Sequence, residues 1–306
     1  MTWARLSDDL VIAAVIIFAI AFCLYAVSLA LHSAGKRGKS VTSSATRVGS
    51  PSSGGSGTGV NDLPAEPSHG YRLTTRIASV LVVMGFLLNV MAVVARGLAA
   101  DRAPWGNMYE FAIVGAAAIT GAYLAGLRRY PIERLGIWVV GVVLVALGCA
   151  VTILYTPVDA LIPVLKSYWL AIHVGAAIIA GGAFTVAAVM SVVQLVGRGR
   201  NGERDALMER VSYGLIVFAF PIWTFAVIAG AVWAEAAWGR YWGWDPKETW
   251  AFITWVFYAA YLHAQSTAGW RGRRAAWFSV LGYLAFLFNF VGVNMWVGGL
   301  HSYAGV

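Results

Sequence analysis

The sequence predicts an all-α integral membrane protein, a polytopic bundle of about eight transmembrane helices with an external Trp-rich loop. Of its 306 residues, 59% are apolar and only 12% are charged. The apolar residues also gather in runs of about 20, the length that crosses a hydrocarbon core of roughly 30 Å. Because backbone polar groups must be satisfied within lipid, such runs form helices. This composition excludes a soluble globular domain.

The apolar runs divide the chain into three regions: a first transmembrane span in 1–35, a disordered Ser/Gly-rich cytoplasmic linker at 36–72, and a seven-span domain at 73–306. The first run follows Asp8 and Asp9 rather than a basic region, which favours a retained span over a cleaved signal. The linker is too polar to pack against the bundle. The spans are expected at 10–31, 77–97, 111–127, 135–155, 169–196, 213–233, 250–268 and 275–296.

The 22 Lys and Arg predict the orientation of the bundle. If both termini lie outside, most of these residues fall in cytoplasmic segments, as the positive-inside rule requires. The exceptions are Arg5, Arg96, Arg102, Lys166, Arg240 and Lys247. Topology therefore accounts for the net charge of +8, and a nucleic-acid partner is not expected.

The most distinctive segment is WGRYWGWDPKETW at 238–250, here called the Trp-rich loop. Its glycines and proline make a continuous helix unfavourable, and its position between two spans places it at the outer membrane face. Trp and Tyr at such a face commonly form an anchoring belt. Five aromatic residues within 13 positions exceed what anchoring needs, so we interpret the loop as a binding platform.

Three histidines lie at distinctive depths. His173 falls about one turn below the outer end of the fifth span, and His301 follows the eighth span on the same side. His263 lies 13 residues beyond Trp250, on the order of 20 Å down the seventh span. A single histidine near a span end is more often an interface residue than a ligand. Together, however, the histidines predict an external site and a second site within the membrane, where ionisable groups usually pair or bind something.

The residues near the external histidines favour haem over zinc as the ligand. Zinc normally takes four close donors, whereas this face offers two imidazoles, no cysteine and few acids. Haem iron accepts two axial nitrogens, its macrocycle stacks on aromatic rings, and its propionates pair with cations such as Arg240 or Lys247. The two cysteines, Cys23 and Cys149, form no CxxC pair, so thiol reduction is left to other proteins.

The Trp-rich loop resembles the WWD domain of the haem-handling proteins of cytochrome c maturation, and the chain most resembles the CcsA (ResC) family of the system II synthase. Further matching segments are APWGNMYE at 103–110, LKSYWLAIHV at 165–174, AAYLHAQ at 259–265 and NMWVGGLHSYA at 294–304. The resemblance covers most of 77–306. The CcmC and CcmF families share the loop. CcmC resembles a shorter chain of six spans and CcmF a much longer chain, whereas eight spans in 306 residues resemble the CcsA family.

The resemblance implies a role for each matching residue. His173 and His301 would be axial ligands of an external haem b, and His263 would supply one ligand to a haem in the membrane. The residues that would shape and hold the external haem are Trp238, Arg240, Tyr241, Trp242, Gly243, Trp244, Asp245, Pro246, Lys247 and Trp250. No catalytic acid or base is assigned, because catalysis would rest on positioning the haem.

The resemblance also implies partners, a location and an activity. The family works with a CcsB (ResB) membrane subunit, which would supply the second ligand beside His263. Haem would be presented at the outer face of a bacterial plasma membrane or a thylakoid-type membrane. There the reduced thiols of a CxxCH segment of apocytochrome c would add to it, as in a holocytochrome c synthase, or haem lyase. Both termini would lie on that outer side.

Asn107, Tyr109 and Glu110 precede the third span and are secondary candidates for the external site. An equally good interpretation is structural: Pro104 and Asn107 make the turn, and Glu110 caps the start of the helix. The sequence does not separate the two.

Two other functions account for part of the pattern. A transporter or permease for haem or another planar substrate explains the spans and His263, but it leaves the external histidines and the Trp-rich loop unexplained, and no clear internal repeat supports it. An electron-transfer cytochrome b would place paired histidines within the spans, whereas among the histidines only His263 is deep.

Overall fold

The computed structural model describes residues 2–46, 69–159, 166–197 and 202–300. Within them the chain is almost entirely helical. The helices are α1 (Trp3–Thr46), α2 (His69–Ala100), α3 (Met108–Leu127), α4 (Gly136–Thr152), α5 (Tyr168–Val196), α6 (Gly202–Trp238), α7 (Pro246–Ser266), α8 (Arg273–Leu287) and the short α9 (Val293–Trp296). A 3₁₀ turn at Glu133–Leu135 precedes α4, and a π-helical turn at Phe288–Gly292 joins α8 to α9.

Each of the eight predicted spans coincides with one of these helices, α8 and α9 together forming the last, so the predicted fold class is confirmed. Within the described residues, seven segments are long and apolar enough to cross a membrane. The predicted span at 250–268, which corresponds to α7, is the exception. Its tryptophans, tyrosines and polar residues lower its mean hydropathy. The chain is therefore a multi-pass membrane protein.

The predicted linker at 36–72 is shorter than expected, because helices extend into it from both sides. Helix α1 continues to Thr46, and α2 begins at His69. Residues 47–68, which include most of the Ser/Gly-rich stretch, lie outside the described residues.

Two clusters of buried side chains hold the bundle together. The first joins α1 to α4 with parts of α5 and α6, and the second joins α5, α6, α7 and α8. Helix α5 contributes to both clusters and is the most buried span. Ring contacts stabilise the second cluster, where Phe184 stacks on Tyr258 with ring centroids 3.7 Å apart. Phe184 also meets Trp223 of α6 edge to face, with centroids 6.1 Å apart, so α5 packs against both α6 and α7.

Helices α6 and α7 are tied together just below the Trp-rich loop that joins them. The Trp223 indole donates to the carbonyl oxygen of Ala251 over 3.3 Å, and the Trp255 indole donates to the Thr224 hydroxyl over 2.9 Å. Residues 239–245 between the two helices are not helical. The loop thus connects two helices that hydrogen bonds hold side by side.

Candidate functional site

The Trp-rich loop is shaped by the capping of α7. Asp245 is the N-cap residue, Pro246 occupies the first helical position, and Glu248 completes a capping box. One oxygen of Glu248, Oε2, accepts hydrogen bonds from the backbone N–H groups of Gly243 (2.8 Å) and Asp245 (3.0 Å). Because one carboxylate oxygen gathers two backbone groups, the loop is fixed to the start of α7.

Two aromatic residues of the loop face outward. Tyr241 and Trp244 are 61% and 64% exposed. Trp244 has a φ of +57°, which is uncommon for a bulky residue and marks a strained turn. Its ring meets those of Trp242 and Phe252 edge to face, with centroids 5.6 and 6.0 Å away. The loop therefore presents an aromatic surface.

The C-terminal segment is attached to the same loop. The backbone N–H of Leu300 donates to Asp245 Oδ2 over 2.8 Å, while Asp245 Oδ1 accepts from the N–H of Lys247. Asp245 is 6% exposed, so it links the loop, the start of α7 and the chain after α9. His301 is the next residue along the chain, and it lies outside the described residues.

A cavity of about 190 Å³ lies beneath the loop, here called the Trp cavity. Its walls come from the loop, α5, α6, the start of α7, the start of α3 with the turn before it, and the end of α8 with the π-helical turn and α9. Indole and phenyl rings dominate these walls. The aromatic lining residues are Trp105, Phe111, Trp223, Trp233, Trp238, Tyr241, Trp242, Phe286 and Phe290.

His173 lines this cavity in an orientation suited to ligation. Its Nδ1 lies 2.7 Å from the carbonyl oxygen of Ala226, and because a carbonyl only accepts, Nδ1 carries the hydrogen. In the neutral imidazole, Nε2 then keeps a free lone pair, and it forms no hydrogen bond to any described residue. Histidines that ligate metals are commonly held in this way. The ring approaches α6 closely because position 230 is glycine: a Cβ there would lie 2.7 Å from Nδ1.

The lining of the Trp cavity includes polar side chains from α7 and from the π-helical turn, among them Lys247, Glu248 and Asn289. Burial lowers the pKa of Lys247, which precedes the predicted seventh span, to about 8, although nearby Asp245 acts in the opposite direction. Among the described atoms, Glu248 Oε1 and Asn289 Oδ1 are buried without a hydrogen-bond partner. Since buried polar atoms normally have partners, these two oxygens indicate a place for a polar ligand group or water.

The predicted site residues fall into three groups in the structure. Those lining the Trp cavity are His173, Trp238, Tyr241, Trp242, Lys247 and Asn107. Those shaping the loop around it without lining it are Arg240, Gly243, Trp244, Asp245, Pro246 and Trp250. Gly243 accommodates the Arg240 side chain, whose guanidinium would clash with a Cβ there. Those elsewhere are His263, Tyr109 and Glu110.

His263 lies apart from the Trp cavity, in the last turn of α7. Its side chain is exposed on the outside of the bundle. Phe252 and Val256 precede it by eleven and seven residues and are also exposed, so the three share one helix face. The His263 imidazole is therefore accessible to another molecule that packs against this apolar face of α7.

The secondary candidate Glu110 has a structural role. It is fully buried, and its carboxylate pairs with Arg96 (3.0 Å) and Arg102 (2.6 Å) and accepts from the N–H of Gly106 (2.9 Å). Arg96 also donates to the carbonyl oxygen of Thr156 over 2.6 Å. The network holds the turn that carries Trp105 against α2 and α3.

The other secondary candidates differ from each other. Tyr109 is 1% exposed and packs under the Arg96 guanidinium, away from the cavity. Asn107 is the N-cap of α3, with Oδ1 accepting from the N–H of Glu110, and it also lines the Trp cavity. The hydrogen bonds of this turn therefore fit the structural interpretation. Of Asn107, Tyr109 and Glu110, only Asn107 lines the Trp cavity.

Several residues that line the Trp cavity were not among the predicted site residues, and Trp105, Trp223, Asn289 and Asn294 are four of them. Trp105 lies within APWGNMYE and Asn294 within NMWVGGLHSYA, so both stood in segments already singled out. Trp223 and Asn289 lie in apolar spans, and no local signal distinguishes them from packing residues. Asn289 sits in the π-helical turn, a feature frequent at functional sites.

Comparison with known proteins matches residues 105–301 to the cytochrome c assembly protein family. Similar relatives are named cytochrome c biogenesis protein CcsA. That of Prochlorococcus marinus is 30% identical over 271 residues, covering 76% of this chain and 86% of the relative. That of Chlamydomonas reinhardtii is 34% identical over 242 residues, covering 74% and 69%. That of Gloeobacter violaceus is 31% identical over 282 residues, covering 71% and 83%.

Among solved structures, the cytochrome c haem lyase CcmF has a similar fold, with a TM-score of 0.68 and 18% sequence identity. The match covers 95% of this chain and 47% of CcmF, so the chain spans about half the length of that protein. This likeness concerns the fold. The matched family and the CcsA relatives confirm the resemblance found in the sequence: this chain is a multi-pass membrane protein of the cytochrome c assembly family and belongs to its CcsA branch.

Proposed function

We propose that this protein binds haem b in the Trp cavity, presents it at the outer membrane face and, with a CcsB-type subunit, promotes its attachment to apocytochrome c. The observation that carries this proposal is the His173 ring, which has Nδ1 fixed to Ala226 and Nε2 free in a cavity walled by indoles. Membership of the cytochrome c assembly family supports it.

The residues of the Trp cavity fit haem in three respects. His173 offers an axial nitrogen, and His301, next after the anchored Leu300, would offer the second. The indoles of Trp238 and Trp242 provide flat apolar surface. Lys247 provides a cation for a propionate. The volume of about 190 Å³ is below the roughly 300–1,000 Å³ of typical ligand sites, so part of the macrocycle would lie outside the cavity.

An exposed edge is what thioether formation requires. Each thiol of the apocytochrome segment would add across one vinyl C=C bond, with sulfur joining the inner carbon and hydrogen the outer carbon, so that no oxidant is consumed. The histidine of CxxCH would then displace one axial ligand, and the product would leave. The protein would contribute positioning and exclude water, while thiol reduction would come from separate proteins.

His263 would serve a second haem site with a ligand from the CcsB-type subunit. Its exposure on the outer face of α7 supports this arrangement, since the described residues leave its side chain accessible to a partner. We further propose that both termini and the Trp-rich loop lie outside a bacterial plasma membrane or thylakoid-type membrane, following the distribution of Lys and Arg. The 73–306 region would be the haem-handling domain.

The proposal is tested by expressing the chain with a CcsB-type subunit and a CxxCH reporter in a host that lacks its own cytochrome c maturation. We expect covalent haem on the reporter, detected by haem stain after denaturing electrophoresis. A transporter or permease would instead give haem in the membrane fraction without covalent product. A complex that binds haem but never labels the reporter would support that alternative.

Gly230→Ala should weaken haem binding by about tenfold, roughly the value of one hydrogen bond. The added Cβ would lie 2.7 Å from His173 Nδ1, so the ring must turn away from Ala226. Titration of the purified complex with haem measures the effect. Gly115→Ala is the matched control, because its Cβ would meet no atom within 4 Å. Equal affinity for the two variants would contradict the proposed role of His173.

Haem binding should weaken as pH rises above 8. In the protein without haem, the lowered pKa of Lys247 means that its charge is present below about pH 8 and is lost above it. A bound propionate would raise that pKa, so in the complex the charge would be lost only by about pH 10. We expect the affinity of the wild type to fall about tenfold between pH 7.5 and pH 10, and that of Lys247→Met to stay low throughout. A parallel fall in both proteins would assign the titration to another group.

A further inference from the structure

A second cavity, of about 830 Å³, lies on the side of the bundle between α2, α3, α5 and α6. Its wall along α3 is made of small residues, including Ala118, Gly121 and Ala122. Ile179 and Phe218 on its rim are half exposed, so it opens on the outer surface of the helices as a groove. Of the residues that line this groove, only Trp105 also lines the Trp cavity.

The polar residues of the groove are confined to one end. Arg128, Arg129 and Tyr130 follow the last turn of α3, and every other lining residue is apolar or glycine. Both arginines are exposed, and within the described part of the chain neither forms an ion pair. The acid nearest to them along the chain, Glu133, forms none with them either. Two free cations therefore stand at the mouth of an apolar groove.

We infer that this groove binds an anionic phospholipid, with its phosphate at Arg128 and Arg129 and an acyl chain along the small residues of α3. The charge of the arginines matches a phosphate, and the apolar wall matches the chain. From Arg128 to Val114 the groove follows α3 for about 21 Å, which exceeds one leaflet of roughly 15 Å. Its far end reaches Trp105, the residue that also lines the Trp cavity.

The test is native mass spectrometry of the full chain, alone and with its partner subunit, titrated with phosphatidylglycerol or phosphatidylcholine. We expect one tightly bound phosphatidylglycerol and weaker binding of phosphatidylcholine. Arg128→Gln/Arg129→Gln should lower the affinity for phosphatidylglycerol about 30-fold, about fivefold for each charge. Ala125→Phe, which fills the groove from an exposed position and keeps both arginines, should have a similar effect.

Arg76→Gln/Arg210→Gln is the matched control, because it removes two exposed arginines outside the groove. If Arg76→Gln/Arg210→Gln loses phosphatidylglycerol to the same extent, the lipid is held by general surface charge and the proposal is overturned. Equal binding of both lipids, or full binding by Ala125→Phe, would also overturn it. If the groove variants instead lose the partner subunit and keep the lipid, a transmembrane helix occupies the groove and the lipid assignment is wrong.

Discussion

His173→Ala should remove the six-coordinate low-spin spectrum of the reduced complex and lower bound haem at least tenfold. The substitution deletes the imidazole that lines the Trp cavity, and none of the described residues offers another one there. Added imidazole should restore the spectrum, because the cavity left by the side chain admits it beside the iron. The visible spectrum and the haem content of the purified complex measure both effects. His301→Ala belongs in the same series as the proposed second ligand.

His69→Ala is the control, since His69 is exposed at the start of α2 and away from the Trp cavity. Circular dichroism and size-exclusion profiles of each variant show whether the fold survives. If folded His173→Ala keeps the wild-type spectrum and haem content, His173 is not a ligand. The transporter function would then be preferred.

Glu110→Ala should be the most destabilising single substitution at the turn before α3, costing about 3–5 kcal/mol of folding free energy. It leaves Arg96 and Arg102 without their shared carboxylate, and Arg96 is almost fully buried. The N–H of Gly106 also loses its acceptor. We expect a thermal midpoint lower by several degrees in detergent, and less folded protein in the membrane.

Glu133→Ala tests the specificity of that effect, because Glu133 is exposed and should change stability by less than about 1 kcal/mol. Haem affinity separates the structural role of Glu110 from a ligand role. If Glu110→Ala folds with wild-type stability and loses haem, the carboxylate contacts the ligand and the buried network is not its function.

The helices could be predicted from sequence because they follow from local composition. Apolar runs of span length indicate α1 to α6 and α8, and Asp245, Pro246 and Glu248 form a capping signature at the start of α7. The Trp cavity required the tertiary structure. Trp223 and Asn289 are distant in sequence, and only the packing of α5, α6 and the π-helical turn places them on one wall.

The buried network around Glu110 shows the same limit. Arg96 lies in an apolar span and Arg102 in a turn, and sequence pattern assigned both to the outer side without pairing them. Pairing depends on the distance between the ends of α2 and α3, which local periodicity does not encode. The sequence left the binding and structural interpretations of Glu110 equally open, and its contacts with Arg96, Arg102 and Gly106 support the structural one.

Helix α7 connects the Trp-rich loop to His263 through one continuous helix. Its 21 residues are about 30 Å long, with the capped Trp-rich loop at one end and His263 in the last turn at the other. Because Glu248 fastens the loop to the helix, a tilt of α7 moves the aromatic surface and the His263 imidazole together, in opposite directions about its centre. A partner that displaces the end of α7 near His263 would thereby move the Trp-rich loop at its other end.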